Sequence, residues 1–268
     1  MTGYRQFHRL TAPAFGKGIA RANLLLYPQL QELTGELEDL VTEGGIGLLT
    51  GEMGIGKTTA LRHYLGGLEE RSCQVAYQGS YRHATAVLEG LMESLGVAPV
   101  RLRVNLLRQL SQTVARAYHE QRKKTLVVID DAHMLEDSLL EDLRLLTNFE
   151  MDACDPLVLV LIGHPSLRLR LARPVHQAFL DRVRMHYRLE GLSKEETAQY
   201  IDHHMNQAGS TADVFTQDAK AAIFEYAQGI PRRINNLALA VLRKSAGRKI
   251  KTIDAKFVVT VIPLLNRD

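Results

Sequence analysis

Only two cysteines occur, Cys73 and Cys154, in no C-x-x-C pair and no metal-ligand spacing. This argues against a disulfide framework or a cysteine-held metal and points to a reducing compartment. Long apolar runs are also missing. The longest, "LVLVLIG" from Leu157, has the length of a buried strand and not of a membrane span. The first residues, "MTGYRQFHRLTAPAFGKG", mix Arg, His and Pro without an apolar centre, so no secretory signal is read and a cytoplasmic location is expected. Charge of one sign is not in excess: 33 Lys and Arg against 30 Asp and Glu leave a net +3, too little to announce nucleic acid by itself. Sequence repeats and low-complexity tracts are absent as well.

What is present is an ordinary globular composition, 46% hydrophobic and 24% charged over 268 residues, enough for one large domain and a small one. Near the middle, "KKTLVVIDDAH" runs five apolar or β-branched residues, Thr125 to Ile129, into the adjacent carboxylates Asp130 and Asp131. A continuous apolar run reads as a strand covered on both faces, the habit of parallel sheets. Taken alone, the acidic pair is equally a solvated turn or a helix cap. Its weight comes from upstream. There, the short strand Ile46–Thr50 feeds Gly51, Glu52, Met53, Gly54, Ile55, Gly56, Lys57 and Thr58, followed by Thr59, which fits G-x-x-x-x-G-K-[ST] in full. Leu61, Leu65 and Leu68 then recur at helical spacing. Strand, glycine loop and helix follow in the order a phosphate cradle needs, with Gly51, Gly54 and Gly56 freeing the backbone to turn its N–H groups onto an anion. On this pattern Lys57 reaches the β- and γ-phosphates, Thr58 places its hydroxyl on Mg²⁺, and Asp130 holds that metal. ATP and Mg²⁺ are the ligands expected.

Further along, "CQVAYQGS" reads as a second strand, "ATAVLEGLMESLG" as a helix closed by Gly96, and "NLLRQLSQTVARAYHEQ" as a helix with Leu106, Leu110, Val114 and Tyr118 on one stripe. After the acidic pair come a helix carrying Leu135, Leu139, Leu143 and Leu146, a fourth strand ending at His164, a short helix, and a fifth strand around His186–Leu189. From Ser193 the pattern is helical only. Ser193 and Glu196 form a capping box, Gly209 closes that helix, Thr216 caps the next, Pro231 opens a third, and Thr252 is read as the cap of the last. The expected fold is α/β with a parallel sheet over residues 1–191, including the N-terminal segment, and a small all-α domain over 192–268. Basic residues gather at Arg101/Arg103/Arg108, at Arg168/Arg170/Arg173, and at Arg243/Lys244/Arg248/Lys249/Lys251.

Six ordered stretches, "LTGEMGIGKTT", "VVIDDAH", "LEDLRLLTNFE", "LVLIGHPSL", "YIDHHMNQAG" and "GIPRRINNLA", together resemble the AAA+ ATPases of the general secretion pathway protein A type, from about Phe15 to Ala246. That group includes stand-alone transposition ATPases similar to TniB and TnsC. The resemblance implies a P-loop base with strand order 5-1-4-3-2, a helical lid, and ATP held between them and across a subunit boundary. It implies that Arg232 is the lid arginine on the γ-phosphate, and that Arg182 is the finger offered to a neighbouring subunit, with Arg184 as its competitor. His164, where the family usually has glutamine, is implied as the sensor after the fourth strand. Asp131 occupies a position that is commonly Glu and activates water; an acid one methylene shorter predicts slow turnover, since a displacement of about 1 Å can cost on the order of 100-fold.

The function expected is that of an ATP-dependent, DNA-binding regulator of transposition. It would assemble on duplex DNA as a homo-oligomeric ring or filament and recruit a transposase and a target-selecting partner, with slow hydrolysis controlling disassembly. The chain stops at Asp268, soon after the lid, so no membrane anchor is expected. Tyr81, Arg82, Arg101 and Arg103 are the candidate DNA contacts, binding through phosphates. Two other readings stay open: a secretion or envelope-assembly ATPase acting on a protein partner, and a nucleotide-gated switch with negligible hydrolysis.

Overall fold

In the computed structural model, which describes residues 3–16, 21–68, 72–79, 83–149 and 153–265, five strands form one parallel sheet: β1 (Gly45–Thr50), β2 (Cys73–Gln78), β3 (Lys124–Ile129), β4 (Leu157–Gly163) and β5 (Val183–Arg188). Their order across the sheet is β2-β3-β4-β1-β5, the expected 5-1-4-3-2 seen from the other edge. The continuous apolar runs take the central places. β4 is buried at every residue, and β1 and β3 at all but their first. β2 and β5, the edge strands, are only partly buried.

The chain divides into two compact units. Pro28–Glu52 and Lys57–Leu189 form the α/β unit, while the N-terminal segment to Tyr27, the loop apex Met53–Gly56 and the chain from Glu190 form a helical unit. The single turn α1 (Tyr4–Phe7) belongs to the latter. Around the sheet run α2 (Pro28–Glu43), α3 (Lys57–Leu65), α4 (Ala84–Ser94), α5 (Arg103–Gln121), α6 (Asp137–Leu145), α7 (Ser166–Leu171) and α8 (Gln177–Leu180). No element is read from sequence at α2, yet Leu30, Leu33, Leu37 and Leu40 recur at steps of three and four and are all buried. Its last carbonyls are capped from outside. Lys124 Nζ donates to Val41 O (3.1 Å) and Thr42 O (2.6 Å), and Arg184 Nη1 donates to Glu43 O (2.9 Å) and Gly44 O (3.2 Å). On α5 the buried stripe is Leu106, Leu110, Val114 and Ala117, so Tyr118 lies beside it and not on it.

The helical unit packs α9 (Lys194–Gln207), α10 (Gln217–Ala227), α11 (Pro231–Arg248) and α12 (Ala255–Leu265) about one core. The capping box forms: Glu196 N donates to Ser193 Oγ (3.1 Å) and Ser193 N to Glu196 Oε2 (2.8 Å). Thr216 caps α10, and Pro231 opens α11. The last cap is not Thr252, since Asp254 Oδ1 accepts the Phe257 N–H at 2.8 Å and the helix begins at Ala255. The N-terminal segment departs from expectation too. Leu10, Ala14 and Phe15 are buried in the helical core, and Thr11 N donates to Ala208 O (2.8 Å), so contacts assign this segment to the helical unit and not to the base. The boundary expected at 191/192 lies at Glu190. Among the described residues no helix is long and apolar enough to cross a membrane.

Candidate functional site

β1 ends at the buried Thr50, and the next residue, Gly51, donates its N–H to Gly163 O (3.2 Å) at the end of β4. The glycine loop therefore leaves the sheet from a fixed point. Of its glycines, Gly54 (φ +83°) and Gly56 (φ +108°) adopt left-handed backbone that a side chain would strain. Gly54 is also short of room: a Cβ there would lie 2.6 Å from Arg232 Cβ, and Arg232 N donates to Gly54 O at 3.2 Å. Arg232, next to Pro231 in the first turn of α11, is thus seated on the loop apex, within the helical unit. Its side chain is exposed. Ile55 is 2% exposed and anchors the loop, whereas Met53 is 74% exposed. α3 begins at Lys57, whose Nζ donates to Gly51 O (2.8 Å) and Glu52 O (3.0 Å), and Thr59 is exposed in the same turn.

At the end of β3 the two acids have opposite surroundings. Asp130 is half-buried, and its backbone N–H donates to Gln78 O (2.9 Å). Its Oδ2 accepts the Thr58 hydroxyl at 2.7 Å and the Tyr77 hydroxyl at 3.2 Å, while Oδ1 accepts the Asp131 N–H at 2.9 Å. Asp131 is exposed at φ +51°, and among the described residues no hydrogen bond reaches its carboxylate. One acid is held and the other is open. A hydroxyl clasped to a carboxylate, with a lysine in the same helix turn, is a donor set that fits a magnesium nucleotide.

Tyr77 is the residue here that the sequence reading misses. In register it pairs with Val128, two residues before Asp130, so both side chains share a face of the sheet. Burial, then the charge of Asp130, pushes its phenol up to about 12. Strand alternation was the available signal, but the neighbour it faces depends on β2–β3 pairing.

His164 follows β4. Ser166 N donates to His164 Nδ1 (3.3 Å), which assigns the neutral ring's hydrogen to Nε2, and Nε2 lies 3.5 Å from Glu52 Oε2. The His164 N–H in turn donates to His133 Nδ1 at 3.4 Å, bringing the histidine of "DDAH" to the same strand end. The two arginines near β5 differ. Arg182 Nη1 donates to Thr147 Oγ1 (3.3 Å), whereas Arg184 is committed to the α2 carbonyls and, through Nη2, to Asp155 Oδ2 (3.1 Å). Of the DNA candidates, Tyr81 and Arg82 lie outside the described residues. Arg101 is exposed, and Arg103 is held on Asp142 Oδ2 (2.6 Å). Neither is brought to the loop or the carboxylates. Among the described residues there is no cluster of His, Cys, Asp and Glu able to hold a metal by itself.

Comparison with known proteins agrees with this geometry. Residues 41–171 match the model of the AAA domain. General secretion pathway protein A of Aeromonas hydrophila is 31% identical over 240 residues, covering 87% of this chain and 43% of the relative, so the chain spans less than half of that protein. Among solved structures, the ADP form of the Aeropyrum pernix ORC2 protein superposes with a TM-score of 0.69 at 15% identity, covering 93% of this chain and 71% of that one. The Aeropyrum pernix ORC1 protein in complex with DNA gives 0.67 at 19% identity, covering 92% and 67%. These two likenesses concern the fold alone. The AAA domain match, the parallel sheet in this strand order and the likeness to a secretion pathway protein A together support an AAA+ ATPase of the general secretion pathway protein A type.

Proposed function

We propose that the protein binds ATP and Mg²⁺ on the Gly51–Thr58 loop, hydrolyses the nucleotide slowly, and uses the bound state to assemble on duplex DNA as a regulator of transposition that recruits a transposase and a target-selecting partner. The observation that carries the catalytic part is the Thr58 hydroxyl on Asp130 at 2.7 Å, which joins the loop to the end of β3. A bound magnesium ion supplies charge neutralisation on the phosphates. The chain's own residues supply the rest. Loop amides at the left-handed Gly54 and Gly56 would donate to phosphate oxygens. Lys57, now on two loop carbonyls, exchanges them for an anion. Asp131, with its carboxylate open, orients the attacking water and accepts its proton. His164 offers Nε2–H as the sensor. Arg232 reaches the terminal phosphate with a planar, permanently charged fork. Arg182 is favoured over Arg184 as the finger offered to a neighbouring copy, because Arg184 is committed to carbonyls and to Asp155.

Support for DNA comes from the ORC1 protein of the same fold, solved with DNA, and from the exposed Arg101 ahead of α5. Contacts of this kind are to phosphates, so binding is expected to be salt-dependent and indifferent to sequence. Filter binding of duplex DNA with ATP at low salt tests it, and no retention there overturns the DNA part. A second reading, a secretion or envelope-assembly ATPase acting on a protein partner, is favoured by the 31% identical relative. It predicts membrane association in the partner's presence and no response to DNA.

A further inference from the structure

Tyr77 stands at the metal end of the proposed site without a part in the chemistry above. It is the penultimate residue of the edge strand β2, and its N–H donates to Ser94 Oγ (3.1 Å), which ties the strand to the end of α4. The ring is 40% exposed, so packing alone gives no reason for a phenol over a phenylalanine. Its hydroxyl donates to Asp130 Oδ2, the oxygen that also accepts Thr58. A carboxylate offers about four acceptor positions. Thr58 and Tyr77 occupy those on Oδ2, and the Asp131 N–H takes one on Oδ1, leaving a single open position. Held from three directions, the carboxylate does not turn about its Cβ–Cγ bond, and the open position faces one way.

We propose that Tyr77 is a positioning residue for the divalent cation: it orients the Asp130 carboxylate so that its remaining acceptor site is preset for the metal or a metal-bound water. This rests on the reading of Thr58 and Asp130 as the magnesium site. Outer groups that orient a metal-binding carboxylate are worth roughly 10- to 100-fold in metal affinity.

The test is binding of a fluorescent ADP analogue to the parent and to Tyr77→Phe, first with EDTA and then with rising Mg²⁺. Expected is an EDTA affinity within about twofold of the parent and a Mg²⁺ concentration for half-maximal tightening raised roughly tenfold, with the melting temperature of the free protein unchanged. In an Asp130→Asn background the same change is expected to have no further effect. An unaltered Mg²⁺ response in Tyr77→Phe overturns the proposal while leaving the nucleotide site standing. So does an equal loss in the Asp130→Asn background, which would mark a general structural role. A parent protein whose nucleotide affinity ignores Mg²⁺ overturns the metal site itself, and Tyr77's part with it.

Discussion

Polar groups are handled differently in the two units. At the carboxyl edge of the sheet they are matched: Asp130 has three donors, Lys57 two carbonyls, and His164 a donor on Nδ1. In the helical unit the buried Lys220 is paired with Asp202, but His204 Nε2, Thr197 Oγ1 and Asn235 Oδ1 are buried without a protein partner among the described residues. His204 is 4% exposed, stacked on Phe15 (5.1 Å between ring centroids) and tilted against Tyr200 (4.3 Å). Burial, then the neighbouring His203, lowers its pKa to about 4. The difference teaches what each set of polar groups serves. On the proposed function the sheet edge serves a charged ligand, and its residues should govern binding and rate. The helical unit uses a neutral histidine as a core ring, and its protonation should govern stability.

The largest expected effect is that of Lys57→Ala, which should weaken nucleotide binding on the order of 100-fold or more in fluorescence titration while leaving the acid unfolding curve in place. A shift in that curve would break the separation of roles. Next comes Asp131→Glu. Because the Asp131 carboxylate is open, restoring the missing methylene is expected to raise phosphate release by roughly 10-fold to 100-fold at unchanged nucleotide affinity. No acceleration would favour a switch over an ATPase.

Acid sharpens the other half of the comparison. An unfolded histidine takes its proton near pH 6.5 and folded His204 only at about 4, so between those values the unfolded chain holds more protons. Stability is therefore full above about pH 6.5 and declines as pH falls, by up to about 1.4 kcal/mol per pH unit from this group. Urea unfolding at several pH values should show a shallower decline in His204→Phe than in the parent, with phosphate release at neutral pH unaltered. An identical decline in both would refute the assignment. The smallest effects concern the turn ahead of α5. Arg101→Ala should reduce the salt slope of DNA binding by about 1. Arg103→Ala should leave the slope and cost at most about 1 kcal/mol of stability, because its guanidinium is held on Asp142.

Much of the α/β unit was legible in the residues. Ile46–Thr50, Thr125–Ile129 and the run from Leu157 hold no charged residue and are almost wholly apolar or β-branched, and each became a central strand. The caps Ser193 and Thr216 were readable for the same reason, since a cap is a contact across three residues. α2 was legible in principle from its leucine spacing but lay behind a segment without a clear motif. Thr252 and Asp254 are both cap formers by type, and only the path of the chain through Ile253 chooses between them.

Local chemistry decided the phosphate loop, the strands and the helices that flank them, because glycine dihedrals, apolar continuity and side-chain period act over a few residues. Tertiary structure decided the rest. The phenol of Tyr77 meets Asp130 from 53 positions away only because β2 pairs with β3 in that register. Arg184 is distinguished from Arg182 by where α2 ends and by Asp155, and the N-terminal segment joins the helical core because α9 and α11 leave an apolar surface that Leu10 and Phe15 fill. Those contacts depend on which elements become neighbours, and that is set by the free energy of the whole packed chain, not by any stretch of it.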